Sequence, residues 1–79
     1  MLPIKNGKNK YYVLSVGFAQ NGEPLITILD HDKSICYRIP DEYGEWAMTV
    51  VGMACGGEKF FPEEVVFSLI DGRYYVDIL

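Results

Sequence analysis

The sequence predicts an α+β domain: an antiparallel sheet of about five strands, ordered β-β-β-α-β-β, with one helix packed on one face. Three observations carry that expectation. Short apolar runs alternate at period two on both sides of one segment whose apolar period is helical. Asn21-Gly22 and Asp71-Gly72 each sit between two such runs, where Asx-Gly favours a tight hairpin. Gly56-Gly57 then closes the helical segment.

Residues 1–10 read as a polar, basic lead-in, with three Lys and no acid. Tyr11 to Phe18 reads as a strand, with Tyr12, Leu14, Val16 and Phe18 on one face and Tyr11, Val13, Ser15 and Gly17 on the other. Leu25 to Leu29 is the return strand, so apolar that both its faces are expected to be at least partly covered. Asp30-His31-Asp32-Lys33 supplies the next turn. Ser34 to Ile39 follows with Ile35, Tyr37 and Ile39 inward and Cys36 and Arg38 outward, until Pro40 ends it. Strands joined this closely are antiparallel neighbours.

From Asp41 to Ala54 the period changes. Tyr43, Trp46, Ala47, Val50, Met53 and Ala54 form one helical stripe. Asp41 is the expected N-cap, and Glu42 and Glu45 fall in the first turn, where the helix dipole favours carboxylates. Gly44 and Gly52 oppose the helix by about 1 kcal/mol each relative to Ala. Glu58 to Glu64 is a connector. Val65 to Ile70 and Tyr74 to Leu79 make the final hairpin, although Pro62-Glu63-Glu64 with Val65, Val66, Leu69 and Ile70 also fits a helix.

With 79 residues the chain is expected to be a single domain, residues 1–79. Its composition, 49% hydrophobic and 14% aromatic, favours collapse over disorder. A net charge of −4 argues against nucleic acid, whose phosphates require cations that Tyr11, Tyr12, Tyr37, Tyr74 and Tyr75 lack around them. No run approaches the roughly 20 apolar residues that span a bilayer. The N-terminus lacks the apolar core of a signal peptide, so the expected location is cytoplasmic and Cys36 and Cys55 are expected to be thiols.

Chemistry-bearing motifs are sparse. Asp30-His31-Asp32 is the one cluster of ligand-type side chains, and it lacks the Gly and Glu of a Ca²⁺ loop. It reads first as a polar turn. Cys55 ends a helix, where the dipole opposes a thiolate, and no glycine-rich phosphate loop precedes the helix. No metal or cofactor is expected. The alternative reading is a small metal- or acid–base-dependent enzyme centred on Asp30 and His31.

One feature exceeds what a one-sided helix needs. Met48, Val51 and Cys55 form a second apolar stripe, and Phe60 and Phe61 add further surplus. Three arrangements would absorb it: the connector wrapping the helix with Phe60-Phe61 closing over it, a homodimer in which Gly52 permits close approach, or a different protein partner. The expectation is a small non-catalytic binding or regulatory module, of the inhibitor or accessory-factor type that mobile elements encode. Met48, Val51, Cys55, Phe60 and Phe61 would form its binding surface, with Glu42 and Glu45, joined by Glu63 and Glu64, as an acidic rim selecting a basic partner.

Overall fold

The computed structural model describes residues 1–79. Three strands open the chain: β1 (Gly7–Phe18), β2 (Pro24–Asp30) and β3 (Lys33–Arg38). A 3-10 turn, Asp41–Tyr43, runs into the helix α1 (Gly44–Cys55), and β4 (Glu63–Ile70) and β5 (Arg73–Ile78) close the chain. All five strands form one antiparallel sheet in the order β3-β2-β1-β4-β5. The α+β class holds, and the segment after Pro62 is strand. Its alternation settles the matter: Val65 and Phe67 are buried and Val66 between them is not, which is a pleat rather than a helical stripe.

Register decides which side chains meet. Val13 lies opposite Ile28, Ile26 opposite Tyr37, Val65 opposite Tyr11 and Ile78, and Phe67 opposite Val76. These residues share one face and, with Leu2, Ile39 and Tyr43 laid over it, form the core. Each fully buried aliphatic or aromatic side chain contributes roughly 1.5–3 kcal/mol through area removed from water.

Strand β1 departs from strict alternation. Val13 pairs with Ile28 but Ser15 pairs with Thr27, so Leu14 is the extra residue of a β-bulge. The bulge shifts parity. Tyr11 and Val13 face the core before it and Val16 faces the core after it. The face expected for Tyr12, Leu14, Val16 and Phe18 is therefore broken: Tyr12 turns to the open side of the sheet and Phe18 is exposed at the strand end.

The N-terminal residues also differ from a plain lead-in. Leu2 is buried and its N–H donates to the Arg38 carbonyl at 2.7 Å. Gly7 to Lys10 belong to β1 and pair with β4. Polar side chains do not prevent this, because the pairing uses backbone groups and Asn9 supplies the rest. Its amide donates to the carbonyls of Lys5 (2.8 Å) and Phe67 (3.0 Å), and its Oδ1 accepts from the Lys5 N–H at 3.0 Å. Tyr11 donates to the Pro3 carbonyl, and burial, aided by Tyr37 and Asp30, pushes its phenol pKa upward.

The turns redistribute as well. Asn21-Gly22 is not a two-residue hairpin turn. Only Gly22 has positive φ (87°), within a loop closed by Ala19 N–H to Glu23 O at 2.9 Å and Gly22 N–H to Ala19 O at 2.9 Å. Tight turns with two left-handed residues occur instead at His31-Asp32 (φ 48° and 67°) and Asp71-Gly72 (φ 52° and 75°). Leu25 to Leu29 is unequally covered: Ile26 and Ile28 are buried on one face, while on the other Leu25 and Thr27 are half-buried and only Leu29 is exposed.

Asp41 does not cap the helix. Pro40 precedes the 3-10 turn, no side chain caps either segment, and the Tyr43 N–H donates to the Pro40 carbonyl at 2.9 Å. The C-terminal stop is as expected. Gly57 takes φ 97°, its N–H donates to the Ala54 carbonyl, and the Glu58 N–H donates to the Met53 carbonyl, which satisfies the last carbonyls of the helix.

Tyr43 ties the helix start to the far half of the sheet. Its ring packs edge-on against Phe67 at 5.2 Å and Tyr74 at 5.4 Å. Its hydroxyl lies 3.2 Å from the Ser68 carbonyl and 3.0 Å from the Tyr75 carbonyl, to which it donates. Burial first, then Tyr74 and Glu42, pushes its pKa up from 10.0 to about 12. An unfolded chain ionises this phenol near its ordinary value while the folded chain keeps the proton. Stability contributed by this group is whole below pH 10 and is lost as pH rises through the folded pKa of about 12. Tyr43→Phe is therefore expected to cost about 1–2 kcal/mol at neutral pH. Urea unfolding between about pH 9 and about pH 12 should show the wild type losing about 2 kcal/mol more than the variant.

Candidate functional site

Helix α1 lies over β1 and is held from below. Tyr43, Ala47 and Val50 are buried, and Trp46 stacks edge-on against Phe67 at 5.6 Å and Phe61 at 6.4 Å. The inward stripe ends there. Met53 and Ala54 share its helical period yet are exposed, and a gap separates Ala54 from β1. A period places a residue on a face of the helix, and only the sheet beneath decides whether that face is covered.

The second stripe lies on the outside. Met48 is 66% exposed, Cys55 is exposed and Val51 is half-buried. Glu42 and Glu45 are exposed on the first turns. From Asp41 to Glu58 the chain has four carboxylates and no Lys, Arg or His. Phe60 and Phe61 are both half-buried, and Phe61 closes against Trp46 on the sheet side. The connector thus covers one flank of the helix and leaves Met48 and Cys55 open. Met48 also borders a shallow, largely polar depression in which Phe18 is the other apolar side chain and Glu23, Asp41 and Glu45 supply carboxylates. The structure gathers Met48, Glu45 and Asp41 around one depression at the helix start, while Glu42 is exposed on the preceding turn without bordering it. It puts Cys55 at the other end and Phe60-Phe61 beyond it.

A cleft of about 250 Å³ separates the end of the helix from β1. Leu14, Val16, Val50, Ala54, Phe60 and Phe61 form its apolar walls. Ser15, Glu58 and Lys59 complete the lining. The bulge makes this cleft possible by placing both Leu14 and Val16 on the helix side of β1. Sequence reasoning does not anticipate Leu14 here. A signal is present nonetheless, since polar Ser15 falls at the same parity as apolar Tyr11 and Val13, and strict alternation would have buried it.

The open face of the sheet is a second exposed surface. Register sets Tyr12 beside Leu29 and Glu64, and Lys10 beside Val66, with Tyr75 beside Ser68. Tyr12, Leu29 and Tyr75 are exposed, and Lys10 makes a 3.6 Å ion pair with Glu64. Cys36 is exposed on β3 and, like Cys55, is a free thiol.

The Asp30-His31-Asp32 cluster sits at the tip of the β2–β3 hairpin. The His31 side chain is 95% exposed, and its Nε2 lies 3.5 Å from Asp30 Oδ1. No three His, Cys, Asp or Glu side chains converge on a common point, and no helix is long and apolar enough to cross a membrane. Compared with protein-family models, curated proteins and solved structures, the chain matches none.

What the hairpin tip does carry is backbone strain. His31 and Asp32 both hold positive φ, which costs a residue with a Cβ about 1 kcal/mol. Asp32→Gly is expected to raise stability by about that amount, moving Tm upward by about 4–8 °C in a domain of this size. Calorimetry of the variant checks this.

Proposed function

We propose that this protein is a non-catalytic binding module that docks a different, basic protein on the outer side of its helix. The observation that carries the reading is Met48, a large apolar side chain left 66% exposed beside Glu45 and Asp41 on a helix with no cation. Methionine packs adaptably against a partner, and exposed carboxylates around an apolar anchor steer a basic surface toward it. The same charge argues against self-pairing through this face. Two copies would bring the Asp41 and Glu45 carboxylates of both together with no helix cation to neutralise them, whereas a partner rimmed by Lys and Arg is attracted. On this reading the module is regulatory and acts by occupying its partner.

The test compares wild type with Met48→Glu/Val51→Glu. Both positions are at least partly outside the core, so thermal stability should fall by no more than about 1 kcal/mol. Affinity for a partner captured and identified from the native host should drop at least 10-fold, which is about 1.4 kcal/mol. Binding should also weaken as salt rises, and light scattering should give the variant and the wild type the same mass across concentration. Unchanged affinity in the double variant, or a wild-type dimer that the variant dissociates, overturns the reading.

A further inference from the structure

The sheet has two outer edges, and they are not alike. Along β3 the N-terminal residues take up one end, where the Leu2 N–H donates to the Arg38 carbonyl at 2.7 Å. Along β5 nothing does the same. Arg73, Tyr75 and Asp77 turn their backbone groups toward β4, and Leu79, at the same parity, donates its N–H to the Glu64 carbonyl at 3.0 Å. Tyr74, Val76 and Ile78 turn theirs outward, and no group of the chain meets them. We propose that a second copy of this chain covers this edge. The two β5 strands pair antiparallel about a two-fold axis through Tyr75, so that two five-stranded sheets run on as one.

The side chains of the strand choose that occupant. Arg73-Tyr74-Tyr75-Val76-Asp77 is its own complement, with opposite charges equally spaced on either side of Tyr75. Setting Tyr75 opposite the second copy's Tyr75 brings each Arg73 opposite the other copy's Asp77. All of these side chains lie on the open face of the sheet, since Val76 between them faces the core. Arg73 and Asp77 are exposed, and neither belongs to the ion pairs of the chain, which are Lys10–Glu64, His31–Asp30 and Arg38–Glu23. The same alignment makes Tyr74 a hydrogen-bonded pair with the second copy's Val76, twice over by symmetry, which uses the outward backbone groups. The two Tyr75 rings become neighbours across the axis.

Other alignments fail on the same residues. A slide of one residue opposes outward backbone groups to inward ones. Sliding by two residues sets Tyr75 opposite Arg73 or Asp77 and separates the opposite charges. A slide of four sets Arg73 opposite Arg73 or Asp77 opposite Asp77. Charge on an edge strand usually keeps sheets apart. Here both signs are present and symmetric about the strand centre, so the edge repels other registers and attracts its own copy.

The pairing is independent of the docking surface proposed for the helix. Met48 borders Phe18 and Pro24, on the β1–β2 side of the sheet, and stays uncovered when β5 is paired. A two-fold axis perpendicular to the sheet keeps both helices on one side, so the dimer offers two docking surfaces to a repeated partner. One strand pair is a small interface, and its Kd is expected on the order of 100 µM.

Sedimentation equilibrium of the full chain from about 10 µM to about 1 mM should show the mass rising from monomer to dimer. In a sample mixed from isotopically labelled and unlabelled chains, filtered nuclear Overhauser contacts should join the α-protons of the two Tyr75 residues. They should also join the α-proton of Arg73 to that of the second copy's Asp77, because pairs without hydrogen bonds bring these atoms closest. Arg73→Asp and Asp77→Arg should each weaken dimerisation at least about 10-fold, since symmetry turns two attractive pairs into two repulsive ones. An equimolar mixture of the two variants should recover a dimer within about threefold of wild type, because every cross-strand pair is then again of opposite sign. Damage to the fold would give no such recovery, and the α-proton contacts need no variant at all.

A wild-type monomer at about 1 mM overturns the inference. So does a dimer whose contacts fall at Ser34 and Cys36 on β3, at Met48, or in another register of β5. Single variants that dimerise as well as wild type overturn it too. Each of these results leaves the test of Met48→Glu/Val51→Glu on the helix to be read by itself.

Discussion

Strand β1 is hydrogen-bonded on both edges, to β2 through its second half and to β4 through its first. That double pairing joins a hairpin from the start of the chain to one from its end, and the remaining features hang on it. It sets Val13 opposite Ile28 and Tyr11 opposite Val65, so the core closes across the middle of the sheet. It also fixes where the helix must cross, because the chain leaves β3 at one edge and has to return to β4 on the other side of β1. Tyr43, Trp46 and Phe67 secure that crossing by edge-on packing and by the Tyr43 hydroxyl.

The helix is short relative to the path it must cover, and its outer side stays uncovered. Its first turns are clamped by aromatic residues, whereas at its last turn Met53 and Ala54 are exposed and a cleft opens beside Leu14. Apolar surface and negative charge coincide at the helix start, where Met48 borders Asp41 and Glu45. In a chain whose net charge is only −4, four carboxylates without a cation over residues 41–58 are a concentrated field. Hydrophobic contact would provide affinity at such a surface, and the charge would choose among partners.

Much of the architecture was legible from local pattern. Period-two alternation and short apolar runs between turn signals located the strands, with the run after Pro62 also fitting a helix, and helical spacing located α1 to within a turn. The stripe of Met48, Val51 and Cys55 was legible too, although its exposure was not. Three arrangements could have buried it, and they differ only in what lies on top. Other features escaped for identifiable reasons. The lead-in reads as loop because Lys8, Asn9 and Lys10 are polar, yet they belong to β1 because β4 offers backbone partners. Asn21-Gly22 is the stronger tight-turn signal by residue type, yet the two-residue left-handed turn falls at His31-Asp32, since the pairing of Asp30 with Lys33 leaves no room for a longer loop.

By itself the sequence determined the elements, the closure of the helix at Gly56-Gly57, and the side of the molecule that carries acid. These depend on neighbours a few residues apart, where periodicity, turn chemistry and charge act directly. The tertiary structure alone decided the strand order, the bulge at Leu14, the burial of Leu2 and the opening of the cleft. Each of those depends on contacts between residues far apart in the chain, such as Tyr11 with Val65 or Leu2 with Arg38, and no local window contains both partners.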